Sequence, residues 1–127
     1  MERRSQIIAV VEDDPSMRRS IERLLSVVGF TVEVFSSAEA FLDRADFDQL
    51  GCLVLDIHLP GMSGIALRSR MIETGSSLPT VFITALEDDD IEAAATRLGC
   101  VALLRKPFAP DLLISSVNRA LSERPAD

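Results

Sequence analysis

Short apolar runs alternate along this chain with longer stretches in which apolar residues recur at helical spacing. Ile7-Ile8-Ala9-Val10-Val11, Gly51-Cys52-Leu53-Val54-Leu55, Val81-Phe82-Ile83 and Val101-Ala102-Leu103-Leu104 carry no polar interruption. That is the pattern of strands covered on both faces. Phe30 to Phe35 is rich in β-branched residues and reads as a further strand. Met17, Ile21, Leu24, Leu25 and Val28 share one helical face, with Asp14 as N-cap, Pro15 at the first position and Gly29 as the stop. Ser36-Ser37-Ala38-Glu39 reads as a capping box, with Ala38, Phe41, Leu42 and Ala45 facing inward. A third helix is expected from near Gly64 to Gly75, with Ile65, Ser69 and Ile72 on one side. A fourth starts in Asp88-Asp89-Asp90, turns Ile91, Ala94, Ala95 and Leu98 inward and stops at Gly99. A fifth starts at Pro110, with Leu113, Val117, Ala120 and Leu121 inward.

Strict alternation of strand and helix predicts an α/β fold with a parallel sheet between two helical layers. Right-handed crossovers leave few topologies, and a flavodoxin-like (βα)5 three-layer sandwich in strand order 2-1-3-4-5 fits best. In that order strands 1, 3, 4 and 5 end side by side. The residues that close them are Glu12-Asp13-Asp14, Asp56, Thr84 and Arg105-Lys106. Open α/β sheets place their sites along this carboxyl edge.

Composition narrows the function. The 127 residues suffice for one core, and 47% are hydrophobic, which argues for a folded globule. No apolar run approaches the roughly 20 residues of a membrane span. The apolar stretch after Met1-Glu2-Arg3-Arg4-Ser5-Gln6 is too short for a signal-peptide core, so the chain is expected to be cytoplasmic. A net charge of −7 and the lack of Trp and Tyr disfavour direct nucleic-acid contact. Cys52 and Cys100 read as small buried hydrophobes. An intervening strand would keep them roughly 10 Å apart, beyond the reach of a disulfide at about 7 Å.

Three carboxylates meeting at Glu12, Asp13 and Asp56 would repel one another unless a cation sits among them. Lys106 offers one charge, and a hard divalent ion such as Mg2+ would supply the rest while keeping positions open for phosphate oxygens. With Thr84 as a hydroxyl donor, such a pocket suits phosphoryl chemistry. An Asp carboxylate can act as the nucleophile and form an acyl phosphate. His58 has no second His to make a transition-metal site. Neighbouring carboxylates would keep Lys106 charged and unsuited to Schiff-base chemistry.

At this point the residues resemble a known family, the receiver domain of two-component response regulators. The matching pieces are Val11-Glu12-Asp13-Asp14-Pro15, Leu55-Asp56-Ile57-His58-Leu59-Pro60-Gly61-Met62-Ser63-Gly64, Ile83-Thr84-Ala85 and Lys106-Pro107-Phe108. Their texture is most similar to receivers of the nitrogen-fixation and nodulation type. The resemblance implies a receiver domain over 1–122 with a tail at 123–127. It implies that Asp56 is the phosphoacceptor and Thr84 the switch hydroxyl, and that Lys106 binds a phosphoryl oxygen. Glu12 and Asp13 match the acidic pair of the Mg2+ site, completed by Asp56 and the backbone carbonyl of His58. It implies a cis bond before Pro107, a phosphohistidine donor on a sensor histidine kinase, and a readout surface around the fourth helix, fifth strand and fifth helix. An output domain or downstream protein would receive the signal, with homodimerisation on phosphorylation as a further expectation. The chain would catalyse only its own phosphorylation and dephosphorylation. It departs from the pattern at Leu103, where the family carries an aromatic residue three positions before the lysine. Switching would then rely on the loop after Thr84 or on a smaller packing change at Leu103.

Three other functions compete. A flavin-binding electron carrier would want a Gly/Ser/Thr phosphate loop where Glu12-Asp13-Asp14 stands. A haloacid-dehalogenase-like hydrolase would usually want a second Asp where His58 stands. A pseudo-receiver would lack part of the set Glu12, Asp13, Asp56, Thr84 and Lys106, all of which are present.

Overall fold

Five strands and five helices alternate in the computed structural model, which describes residues 7–44 and 47–123. The strands are β1 (Ile7–Val11), β2 (Thr31–Phe35), β3 (Leu50–Asp56), β4 (Thr80–Thr84) and β5 (Ala102–Arg105). The helices are α1 (Pro15–Val27), α2 (Ala38–Leu42), α3 (Gly64–Glu73), α4 (Asp89–Arg97) and α5 (Pro110–Glu123). All strand pairs are parallel, and the order is β2-β1-β3-β4-β5, as the alternation predicts. The α2 face position at Ala45, the amino-terminal Met1–Gln6 stretch and the tail beyond Glu123 lie outside the described residues.

The uninterrupted apolar strands feed two cores, one on each face of the sheet. Ile8 and Val10 of β1 pack with Cys52, Val54, Val81, Ile83 and Leu104 beneath Ile21 and Leu25 of α1 and Leu113, Val117 and Ala120 of α5. The alternate residues Ala9 and Val11 join Leu53, Leu55 and Phe82 beneath Phe41 of α2, Leu67 and Met71 of α3 and Ala95 of α4. The inner strands β1 and β3 are therefore apolar from Ile7 to Val11 and from Leu50 to Leu55, because both of their faces are covered, whereas the edge strand β2 carries Thr31 and Glu33. Both cysteines are free; Cys52 is buried, which pushes its thiol up to about 12, and Cys100 is half-buried.

Local signals hold at most helix starts. The Asp14 carboxylate accepts a hydrogen bond from the Ser16 amide at 3.0 Å, with Pro15 opening α1. The Asp88 carboxylate caps α4 by accepting from the amides of Asp90 and Ile91. Three expectations change, the first at Val28, predicted on the inner face of α1 but standing as its C-cap and 46% exposed. The cap of α2 is Ser37, whose hydroxyl accepts from the Ala40 amide at 3.0 Å, so the box predicted from Ser36 does not form. Glu39 turns instead toward the loop after β3 and accepts from the Met62 amide at 3.0 Å. In α3 the buried residues are Gly64, Leu67, Arg68 and Met71, while Ile72 is 41% exposed. The predicted Ile65/Ser69/Ile72 side is displaced because Arg68 turns inward, where backbone carbonyls satisfy its guanidinium.

Gly64 ties this helix to the carboxyl end of β3. A Cβ there would stand 2.3 Å from the backbone oxygen of Asp56 and 2.9 Å from the Ile57 Cα. Only a hydrogen fits, so α3 starts directly against the end of β3. Gly64→Ala is expected to cost about 3 kcal/mol, the upper range for overpacking, since backbone must yield. Urea denaturation measures it; a loss below about 0.5 kcal/mol would show that the contact relaxes freely.

Candidate functional site

The carboxyl edge of the sheet gathers the predicted residues as the strand order requires. Glu12 directly follows β1 and is fully buried. Asp56 closes β3 and is 3% exposed, and Thr84 closes β4 and is buried. Lys106 directly follows β5, and its bond to Pro107 is cis. The Lys106 amide donates to the Thr84 carbonyl at 2.7 Å, which brings the last two strands into line at the site.

Lys106 joins the buried carboxylates. Its Nζ donates to Glu12 Oε1 at 2.7 Å and to Asp56 Oδ2 at 3.2 Å. The other Asp56 oxygen, Oδ1, accepts from the His58 amide at 3.0 Å. Glu12 also accepts from the Asp14 amide at 3.1 Å. Burial raises the Glu12 carboxyl above its ordinary value, and the Asp56 carboxylate adds to the rise against the opposing Lys106 hydrogen bond. Burial alone would lower Lys106, but the Glu12 hydrogen bond and the charges of Asp56 and Glu12 outweigh it and keep the ammonium protonated.

One oxygen each from Glu12, Asp13 and Asp56 lies within 4.8 Å of the others. At that separation two like charges repel by about 3 kcal/mol at an effective dielectric of about 20. A single ammonium leaves net negative charge behind. Three hard oxygen donors, two buried and one exposed, fit a divalent cation of the Mg2+ type with solvent-side positions open.

Two interactions here escape sequence reasoning. Arg18 of α1 donates from Nη1 to the Glu12 carbonyl at 2.9 Å and to the Asp13 carbonyl at 3.4 Å. It fixes the acidic loop from behind and brings a positive charge near it. Position 18 reads as one of many basic residues on a helix, so no linear signal marks it. The second is the His58 side chain, whose Nε2 lies 3.1 Å from Thr84 Oγ1. The Thr84 hydroxyl also accepts from the Leu86 amide at 3.2 Å. The imidazole thus reaches from the loop after β3 to the β4 hydroxyl. The loop between them is braced from α2, because Glu39 accepts from Met62 beside Gly61, where a Cβ would stand 2.7 Å from Glu39 Oε2.

With this geometry in view, a family model for the response regulator receiver domain matches residues 8–118. The chain belongs to that family. It is a receiver domain of the two-component type, built without any helix among the described residues long and apolar enough to cross a membrane. It is 38% identical over 116 residues to the transcriptional regulatory protein FixJ of Bradyrhizobium diazoefficiens, covering 91% of this chain and 57% of that one. Nodulation protein W of the same organism is 40% identical over 114 residues, 90% of this chain and 50% of the relative. TodT of Pseudomonas putida is 32% identical over 125 residues, 98% and 55% respectively. These relatives bear out the nitrogen-fixation and nodulation texture of the motifs. The crystal structure of FixJ-N superposes with a TM-score of 0.88 at 31% identity, covering 99% of both chains. The chain spans about half the length of the curated relatives it matches.

Two outcomes test the electrostatics of this receiver. In divalent-free buffer Asp56→Asn should raise the thermal midpoint by about 4 °C per kcal/mol of relieved repulsion. Calorimetry in chelator reads it, and a lower midpoint would show that Lys106 already balances the charges. Arg18→Met should weaken Mn2+ binding roughly tenfold, the scale seen for groups behind a metal ligand. Paramagnetic titration checks this, and unchanged affinity would remove Arg18 from the site.

Proposed function

We propose that Asp56 accepts a phosphoryl group from a phosphohistidine on a sensor histidine kinase and that the chain switches a partner surface in response. The observation that carries this reading is the Lys106 ammonium bridging Glu12 and Asp56, beside a third carboxylate at Asp13. A lone buried Asp would be a poor nucleophile with nothing to receive the charge of a phosphoryl group. Here the countercharge is built in.

The chain's own residues supply the steps. The His58 amide orients Asp56 through Oδ1. An Asp56 carboxylate oxygen attacks phosphorus as the phosphorus–nitrogen bond of the donor breaks, leaving an acyl phosphate. Lys106 moves its hydrogen bond from Asp56 to a phosphoryl oxygen while Glu12 keeps hold of the ammonium. The Thr84 hydroxyl donates to another phosphoryl oxygen. Glu12, Asp13, Asp56 and the His58 carbonyl would hold Mg2+, which supplies the remaining positive charge toward the phosphoryl oxygens. The chain catalyses only the making and hydrolysis of its own acyl phosphate.

We assign the receiver to 1–122 and a tail to 123–127, with Glu123, the last residue of α5, at the join. The signal leaves through the surface formed by α4, β5 and α5, toward an output domain or downstream protein. FixJ is a transcriptional regulatory protein, which supports an output acting at transcription. Homodimerisation on phosphorylation belongs to the same proposal.

Mass spectrometry after acetyl phosphate and Mg2+ should show one added phosphoryl group, missing in Asp56→Asn. An adduct that survives in the variant would move the acceptor elsewhere. His58 sits against Thr84, so His58→Ala should change the lifetime of the phosphorylated form severalfold. Equal decay rates for the two proteins would show that the imidazole is a bystander.

A further inference from the structure

Helix α4 is held at its two ends by different physics. At its carboxyl end stands Arg68 of α3, only 7% exposed. Its guanidinium donates to the carbonyls of Leu78 at 2.9 Å, Leu98 at 3.3 Å and Gly99 at 3.4 Å. Leu98 is the C-cap of α4 and Gly99 follows it. These carbonyls end the helix without partners of their own and carry the negative end of its dipole. No carboxylate of the described residues lies within ion-pair distance of Arg68, so its charge is spent on backbone oxygens that no side-chain event can remove.

The amino end is tied weakly. Arg105 closes β5 and is the register partner of Thr84. It pairs with Glu87 in the loop after β4 at 3.3 Å and with Glu92 in the first turn of α4. The Arg105 side chain is 45% exposed, that of Glu87 80% and that of Glu92 28%. Such pairs are weak and are screened by salt. Among the described residues this loop is otherwise tied before the α4 cap through Leu86, whose amide donates to Thr84 Oγ1 at 3.2 Å and whose carbonyl lies 3.4 Å from the same hydroxyl. The position where the family carries an aromatic toggle holds Leu103, half-buried against the α2–α4 core.

We propose that α4 is a lever, with Arg68 as its fixed pivot and Arg105 as the electrostatic latch on its moving end. The inference rests on the reading of Thr84 as the hydroxyl drawn to a phosphorylated Asp56. When that hydroxyl turns to a phosphoryl oxygen, the Leu86 amide loses its acceptor, and the Arg105 pairs are the remaining side-chain polar ties from β5 beside the apolar packing of Ile91 and Ala95. A polar latch then does the work that an aromatic rotation does elsewhere in the family.

Hydrogen exchange on the whole unphosphorylated chain tests it. Arg105→Gln should speed exchange severalfold across 86–92 and leave 96–101 unchanged. High salt should do the same to the native chain but add nothing to the variant. The swapped pair Arg105→Glu with Glu92→Arg should restore protection. Exchange unchanged in Arg105→Gln, or raised evenly along α4, would overturn the latch. Arg68→Lys keeps one cation should Arg68→Met fail to fold, and it should loosen 96–101 more than 86–92. Equal loosening of both segments would overturn the pivot. Acetyl phosphate labelling separates the two layers. An adduct on Asp56 with no effect of Arg105 sinks the lever alone, whereas no adduct sinks the phosphoacceptor reading whatever the exchange shows.

Discussion

The rest of the site is arranged around one ion cluster, the Lys106 ammonium held between the buried carboxylates of Glu12 and Asp56. Burying two carboxylates side by side is unfavourable, and a single cation offsets the cost only in part. The site therefore stands under electrostatic tension in the cation-free protein. A divalent cation among the three carboxylates would relieve that tension. The partners of the cluster come from three different strand ends.

The parallel sheet makes the cluster affordable. Each strand is covered on both faces by the cores beneath α1 and α5 and beneath α2, α3 and α4. Hydrophobic burial on that scale tolerates a strained edge. The edge is further stiffened from behind. Arg18 holds the carbonyls of the acidic loop, Glu39 holds the Met62 amide, and Gly64 lets α3 begin against the Asp56 backbone. Charge placement and backbone rigidity are thus separate tasks given to separate residues.

Much of this was legible in linear order. Apolar runs of strand length, each closing on a chemically distinct side chain, specify an α/β sheet and its functional edge. Asp14, Pro15 and Asp88 mark helix starts because capping is a local event, decided by a residue and the two or three amides after it. The predicted site set Glu12, Asp13, Asp56, Thr84 and Lys106 assembled because strand order alone brings its members together.

Other features depended on distances that linear order does not contain. Ser36 and Ser37 compete for the same cap, and the choice turns on where Glu39 finds its better partner, an amide on a loop 23 residues away. Arg68 reads as a surface residue, and it is buried only because the ends of α3, β4 and α4 meet at three carbonyls. The His58 contact with Thr84 and the Arg105 ties to α4 likewise join segments remote in the chain. Sequence by itself determined the elements, their order and the chemistry of the edge, since periodicity, capping and residue type are local properties. Only the tertiary structure decided which polar group each charged side chain would satisfy, because that is settled by ångström-scale proximity between distant segments.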